Sequence, residues 1–590
     1  MTTGPLADGR GPRSWGSDVM VDAMRAHGLR YVTMNPGSSF RGLHDSIVNY
    51  GGNSPEMIEC THEKIAVEIA HGYAKASGEA IGCILHDTVG LLHATMGIYY
   101  AFIDRAPVVM FGGAGPMAYE RRRPNIDWIH TANVQGNLIR DFTKWDEQPA
   151  SLLSVHEAVA RGYRIATAEP AGPVYIALDA GLQEDRLAED IAPPALVNNP
   201  LPSRIGPDPA EVERLAERLL AAERPVIIPG YAGRHPDAMA QLVALAELVG
   251  AGVIDTNIRL NFPSRHPLNV SGSDAVEEAD FVLFIDVKDY GKPTQRLDKI
   301  SRRIESRIPE SAFVADLGFV DIGISSWSHD FAAMHRLDMQ VVADTVVALP
   351  LLVERCGQLM AQSATLARPE SREARRRELG AMHDEVRSRW REQADSVWES
   401  RPVSTARLAG SVWEVIKEHD WVLTAGTASD WALRLWDFDT PYRHPGSSLG
   451  TGTQFGISLG VALAHKGSGR LVVDLQPDGD LLFDVGAMWT AAYHEIPLLC
   501  VMFNNRAYYN DWEHQERMAR LRGTPMENAY YGMEIDGPAP DFAAIARSFG
   551  WYGEGPIEDP DEIVAAVRRA ADHVMTHQRP ALVDVVCDKI

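Results

Sequence analysis

The chain has 590 residues, 45% of them hydrophobic and 23% charged, which is the composition of a globular protein too long for one core and divisible into three or four domains. Its 56 Lys and Arg stand against 80 Asp and Glu, a net charge of −24 that argues against nucleic acid as the main partner and leaves room for a small anion only where cations gather locally. The five cysteines form no Cys-x-x-Cys pair, so neither a zinc site nor a disulfide framework is expected, and no stretch approaches 18 uninterrupted apolar residues. The leader "MTTGPLADGRGPRSWG" lacks the apolar core of a signal peptide. A soluble, cytoplasmic protein with a short disordered leader and no membrane partner is the expectation.

In chain order, the runs "YVTMNPG", "AIGCILHD", "APVVMFGG" and "GPVYIALD" alternate with helical patterns before residue 185, as in a parallel sheet covered by helices. The histidine ending "IGCILH", His86, is well placed for proton transfer at a strand end, although a structural histidine reads equally simply. The run Arg121-Arg122-Arg123 reads either as a solvated face or as a contact for a carboxylate or the phosphates of coenzyme A. A Pro-rich stretch, "EDIAPPALVNNPLPSRIGPDP", predicts a linker, after which "RPVIIPGYAG", "GAGVIDT", "ADFVLFIDVKD" and "SAFVADLG" predict a second α/β block. Dense charge from Ala367 to Ser400 suits a solvated connecting helix. The third block repeats the alternation with "DWVLTAG", "RLVVDLQ", "IPLLCVMFNN" and "RPALVDVVCD". The expected architecture is therefore three α/β domains with mainly parallel sheets, bounded at 1–188, 189–365 and 403–590, with a charged helix over 366–402.

Within the third block, "GISLG" matches the Gly-x-Ser-x-Gly nucleophile elbow of hydrolases at Ser458, but that motif requires a strand directly before it and the preceding "PGSSLGTGTQF" is loop-like. More informative is the strand–helix–strand pattern from Arg470 to Asn505. A crossover of that kind makes the strands parallel, so Asp478 and Asn505 fall on one rim of the sheet. A carboxylate and an amide oxygen on neighbouring strands suit Mg²⁺, and Gly479 lets the backbone approach a diphosphate. Taken alone, Pro477-Asp478-Gly479-Asp480 reads as a plain turn before it reads as a site.

These residues resemble the cofactor motif of the thiamine diphosphate (ThDP) enzymes, a Gly-Asp-Gly followed some two dozen residues later by Asn-Asn. The resemblance implies Asp478 and Asn505 as side-chain metal ligands and Ala507 as a backbone one. Pro477 stands where the family has Gly, and Asp480 adds an unexpected negative charge near the diphosphate that calls for another donor or a rotation towards solvent. "IECTHEKIAVEIAHGYAKASG" is similar to the family's His-Glu segment and implies Glu63 as the acid that bonds the aminopyrimidine ring and activates the thiazolium carbon. "NPGSSF" and "LHDTVGLLHATMGIYYAFIDRAPVVMFGG" look closest to benzoylformate decarboxylases, which implies Ser38 and His86 as substrate-facing groups. "LTAGTASDWALRLW" implies Thr427 and Ser429 as diphosphate contacts, while Thr453 and Gln454 fall near the slot of the residue that bends the cofactor.

The resemblance implies a lyase that cleaves, or in reverse forms, a carbon-carbon bond next to a carbonyl, using ThDP and Mg²⁺. Its substrate would be a small molecule, either a 2-oxo acid or a 2-hydroxyacyl-CoA split to a carbonyl compound and formyl-CoA. An acetolactate synthase-like acyl transferase and a catalytically degenerate ThDP-binding scaffold are the alternatives. A homodimer or homotetramer with active sites between subunits is implied, and FAD or ADP in the middle domain finds only weak support in "PGYAGRHPDA". Beyond the Asn pair, Glu513 is the preferred acid or base among Tyr508, Tyr509, Glu513 and His514, with a charged surface helix as the competing reading.

Overall fold

The computed structural model describes residues 12–188, 191, 200–319, 334–446 and 451–589. Their strands form three all-parallel sheets, as the alternating pattern predicts, and one two-stranded antiparallel ribbon. In the first sheet, β1 (Tyr31–Met34), β2 (Glu56–Glu59), β3 (Ile81–Leu85), β4 (Val108–Ala114), β5 (Trp145–Glu147) and β6 (Val174–Asp179) take the order β2-β1-β3-β4-β6-β5. The chain reverses its winding between β1 and β3, so their carboxyl ends open a crevice of the kind that holds ligands. Residues 35–39 and His86 lie at that crevice.

The second sheet uses β7 (Pro225–Pro229), β8 (Gly252–Val253) and β9 (Phe281–Ile285), followed by the antiparallel hairpin β10 (Gln295–Leu297) and β11 (Ile304–Ser306), which stands apart, and then β12 (Phe313–Gly318) and β13 (Met339–Val342). Its order is β13-β12-β9-β7-β8, and Val282 to Ile285 are buried on both faces. The third sheet, β14 (Trp421–Ala425), β15 (Leu471–Pro477), β16 (Leu499–Asn504), β17 (Tyr552–Ile557) and β18 (Ala581–Val586), has the order β14-β15-β16-β18-β17.

Five helices carry the site residues and the joins between sheets: α1 (Glu63–Ser77), α2 (Thr88–Ile103), α3 (Pro369–Ser396), α4 (Gln454–His465) and α5 (Tyr509–Arg522). The charged segment expected as a connecting helix is α3, and it is not wholly solvated. Leu379 and Val386 are buried, and Arg375 donates to the carbonyls of Val249 and Gly250.

Helix α1 of the first sheet and α4 of the third cross at backbone contact. A Cβ on Gly72 would lie 2.0 Å from the carbonyl oxygen of Ile457, and one on Gly460 2.2 Å from that of Ile69. The glycines of "GISLG" therefore serve a helix crossing. Ser458 lies inside α4, 1% exposed, and its Oγ accepts from Thr424 Oγ1 at 2.6 Å, which removes the nucleophile-elbow reading. The apolar faces of the first and third sheets merge through this crossing into one core. No described helix is long and apolar enough to cross a membrane.

Candidate active site

The Pro477-Asp478-Gly479-Asp480 segment is neither a β-turn nor a loop. Strand β15 runs directly into one helical turn, Asp478–Leu481, with Pro477 in extended conformation as its cap. The register pairs Pro477 with Phe503, so Asp478 and Asn505 follow neighbouring rungs at one rim. Asp478 accepts from the amide of Gly479 at 2.8 Å and lies near those of Arg506 and Ala507, while its Oδ2 is buried without a hydrogen-bond partner. Burial pushes this carboxyl up to about 6 against the pull of those amides, which is the situation a bound cation relieves.

Asn505 Oδ1 accepts from the Ala507 amide at 3.1 Å, and Asn504 is held by Asp584 at 2.9 Å. A Cβ on Gly479 would meet the Tyr508 ring at 2.5 Å, so Tyr508 roofs the turn. An orphaned carboxylate oxygen beside an amide oxygen, with a side-chain-free backbone between them, fits Mg²⁺ and a diphosphate.

Asp480 does not turn to solvent. It is 7% exposed and accepts from the amides of Gly452 (2.6 Å) and Gln454 (3.3 Å) at the start of α4. The extra negative charge thus has its donors at a helix N-terminus, where the dipole favours an acid. Gln454 ties the Gly426 amide to Asp474 Oδ1 and the carbonyl of Leu475, so it braces β14 against β15; Thr453 is fully buried. Ser429, 5% exposed, donates to the carbonyl of Gly426 at 2.8 Å. Thr427 opens the short 3-10 turn Thr427–Ser429, and its side chain lies outside the described residues.

On the first sheet, Glu63 begins α1 and is 6% exposed. The preceding His62 caps the helix, its Nδ1 accepting from the Lys64 amide at 3.1 Å. His93 of α2 places Nδ1 3.2 Å from Glu63 Oε2 and stacks on His62 with ring centroids 4.8 Å apart. A Cβ on Gly90 would lie 2.7 Å from the Cβ of His86 and 2.8 Å from Glu63 Oε1, so His86 and Glu63 flank one glycine. His86 bonds through Nδ1 to the hydroxyl of Ser39 at 2.7 Å, and its ring lies 5.4 Å from that of His130. Burial first, then His130, lowers the pKa of His86, favouring the neutral imidazole that can take up a proton.

The two halves meet within one chain. Lys64, next to Glu63, reaches across to Asp484 Oδ2 at 2.7 Å and to the carbonyl of Gly452, and a Cβ on Gly486 would lie 2.6 Å from Thr61 Oγ1. The resemblance implies a cleft shared between subunits; here the first- and third-sheet residues already face each other in a single copy.

Two expected residues have neighbours other than those expected, and the three arginines are paired locally. Ser38 is exposed in the turn Ser38–Phe40, and it is the adjacent Ser39 that bonds His86. Glu513 lies on α5, 44% exposed and ion-paired with Arg517, while Tyr508 stands over the Gly479 turn. The three arginines have local partners: Arg121 pairs with Asp185, Arg122 with the carbonyls of Pro116 and Met117, and Arg123 with Asp127. Sequence reasoning missed Ser39, His93, His130 and Lys64. His93 carries a readable signal, since it lies only seven residues beyond His86 in the same motif-bearing segment, while His130 becomes visible only through the fold.

Three parallel sheets, with a buried acid at one helix start and a buried carboxylate beside Gly479 at a strand rim, define an α/β protein of the kind that takes a phosphorylated cofactor. Residues 14–138, 212–305 and 424–585 match the N-terminal TPP binding, central and C-terminal TPP binding domains of thiamine pyrophosphate enzymes, and the chain belongs to that family. It is 23% identical to the acetolactate synthase large subunit of Haemophilus influenzae over 94% of this chain and 92% of that one. Against the acetolactate synthase isozyme 3 large subunit of Escherichia coli the figures are 22%, 97% and 95%. Among solved structures, benzoylformate decarboxylase from Polynucleobacter necessarius superposes with a TM-score of 0.73 at 19% identity, over 98% of this chain and 99% of that one. The 4-hydroxybenzoylformate decarboxylase of Rhodococcus jostii gives 0.71 at 18%, over 97% and 99%.

Proposed function

We propose that this ThDP-dependent enzyme is a Mg²⁺-dependent lyase or carboligase that breaks or forms the carbon-carbon bond next to the carbonyl of a 2-oxo acid. The observation that carries the reading is His86 beside Glu63 across Gly90, a proton-handling imidazole next to the acid that would engage the cofactor. When bound, the cofactor supplies a nucleophilic carbon and an electron sink for the bond that breaks.

The chain's own residues would do the rest. Asp478, Asn505 and the carbonyl of Ala507 would hold the metal, and the Gly479 backbone, Thr427 and Ser429 the diphosphate. Glu63 would exchange a proton with the pyrimidine ring, positioned by His93 at 3.2 Å. His86, oriented by Ser39, would give or take the proton at the substrate carbon, with Ser38 exposed nearby. Local pairing of Arg121, Arg122 and Arg123 favours a free 2-oxo acid over an acyl-CoA. An acetolactate synthase-like transfer to a second 2-oxo acid uses the same groups and is supported by the Haemophilus and Escherichia relatives.

The domain bounds 1–188, 189–365 and 403–590, a homodimer or homotetramer, and a cytoplasmic location belong to the same proposal; FAD or ADP in the middle domain does not. The test is incubation of the protein, loaded with ThDP and Mg²⁺, with 2-oxo acids and 2-hydroxyacyl-CoA esters, followed by mass spectrometry. Loss of CO₂ or ligation of 2-oxo acids is expected. Turnover confined to the acyl-CoA esters would overturn the substrate class, and cofactor binding without any turnover would make the chain a scaffold.

A further inference from the structure

At the far end of α1 from Glu63, a cavity of about 550 Å³ lies between the first sheet, the second sheet and residues 201–205. In a protein of net charge −24 its wall is strongly cationic: Lys75, Arg105, Arg204, Arg234 and Arg259 line it, with Glu169 the one carboxylate among the described lining residues. Arg105 and Arg259 are 6% and 4% exposed, and Lys75 is 9% exposed. Such charges persist in a protein interior only when paired, and here the pairing falls short.

Asp104 is shared by Lys75 (2.8 Å) and Arg259 (2.9 Å), and Asp286 by Arg105 (2.6 Å) and Arg234. Glu169 takes Arg234 Nε at 2.9 Å, so four cations, three of them buried and Arg234 nearly so, share three carboxylates. Both aspartates stand behind the wall and orient the guanidinium groups; neither lines the cavity. Arg204 adds a further cation at the cavity edge, held by Asp344 at 2.6 Å.

Three buried donors of this wall, Arg105 Nη2, Arg234 Nη2 and Arg259 Nε, have no hydrogen-bond partner. A water could satisfy an N–H but would leave the charge excess. An oxyanion answers both, since guanidinium donors match the spacing of phosphate oxygens. Crowding by burial also pulls Lys75 down to about 8, against the pull of Asp104.

We propose that this cavity is a binding site for a phosphate-class oxyanion, separate from the metal rim, whose occupant clamps the first and second sheets and the 201–205 segment together. The proposal does not depend on the choice of 2-oxo acid as substrate. Its test uses full-length protein saturated with ThDP and Mg²⁺, so that the metal rim cannot take the probe. Calorimetric titration with inorganic phosphate and with glycerol 3-phosphate, against sodium chloride of matched ionic strength, is expected to give saturable binding at about one site per chain, with a rise in melting temperature. Arg105→Gln should abolish binding, and Arg204→Ser should weaken it about fivefold or more while leaving turnover unchanged.

Tighter binding of the ester identifies an organic phosphate as the occupant, and tighter binding of the inorganic ion identifies free phosphate. Absence of saturable binding by either probe overturns the proposal, as does unchanged affinity in the variants; if Arg105→Gln fails to fold, Arg204→Ser alone decides.

Discussion

Glu63 is reached from three directions, by His62 capping its helix, by His93 at 3.2 Å and by Gly90 leaving space for its other oxygen. Glu63→Gln should lower turnover by about 10²-fold or more while calorimetric binding of ThDP with Mg²⁺ stays within a few-fold. Normal turnover by the variant would remove the proposed role. Ser39→Ala frees the His86 ring and should shift the pH dependence of turnover, an effect that Ser38→Ala should lack because Ser38 makes no described bond to the imidazole.

Glu68, one turn along α1, is fully buried with both oxygens lacking a hydrogen-bond partner, although Lys64 Nζ stands 3.4 Å away. Burial, then the Asp484 charge, raises its pKa well above the carboxylate range. Below the unfolded value near 4.3 both states carry the proton; as pH rises towards the folded value only the unfolded chain releases it, and stability falls. Glu68→Gln should therefore match the parent in urea at pH 4 and exceed it at pH 8. Equal midpoints at both pH values would show that Lys64 compensates the charge in full.

At the scale of elements, parallel strands and their rims were legible because apolar runs of five or six residues alternate with helical periodicity. Asp478 and Asn505 were legible as rim partners for the same reason. What the pattern could not convey was the local path at Asp478: Pro-Asp-Gly is a strong turn signal, yet a strand feeding straight into a helix uses the same residues as a cap and first turn. Asp480 was hard to read because two of its three donors, the Gly452 and Gln454 amides, are 28 and 26 residues away in sequence, while the third, Gln476 Nε2 at 3.3 Å, lies on the strand before it. Helical phase, not sequence distance from the Asn pair, decides which side chain meets the rim: Glu513 pairs along α5 with Arg517, and Tyr508, just before α5, meets the Gly479 turn.

The crossing of α1 and α4 is the element-scale feature most exposed to a single change. Gly72→Ala puts a methyl group into a backbone carbonyl and should cost about 3 kcal/mol or more, at or above the usual range for overpacking. Urea unfolding measures it, and the variant should also lose ThDP affinity, because Glu63 and Lys64 ride on the same helix.

Over the whole molecule, cofactor and metal binding at the proposed site would be linked to global stability by mass action. With ThDP and Mg²⁺ at about a hundred times the dissociation constant, binding should stabilise the folded chain by about 2.7 kcal/mol. Thermal melts should lose that increment on adding a chelator and should not show it in Asp478→Ala; a chelator-insensitive melt would separate the metal from the fold.

The glycine crossing also limits how this chain can vary. The Cβ position at Gly72 meets the O, C and Cα of Ile457, and that at Gly460 meets the Ile69 carbonyl, the Tyr73 amide and Gly72 Cα. Every clashing atom is main chain, so trimming a neighbouring side chain offers no second-site suppressor. Alanine at both positions should be no better tolerated than alanine at one, and the pair can be replaced only by a chain whose two helices sit further apart.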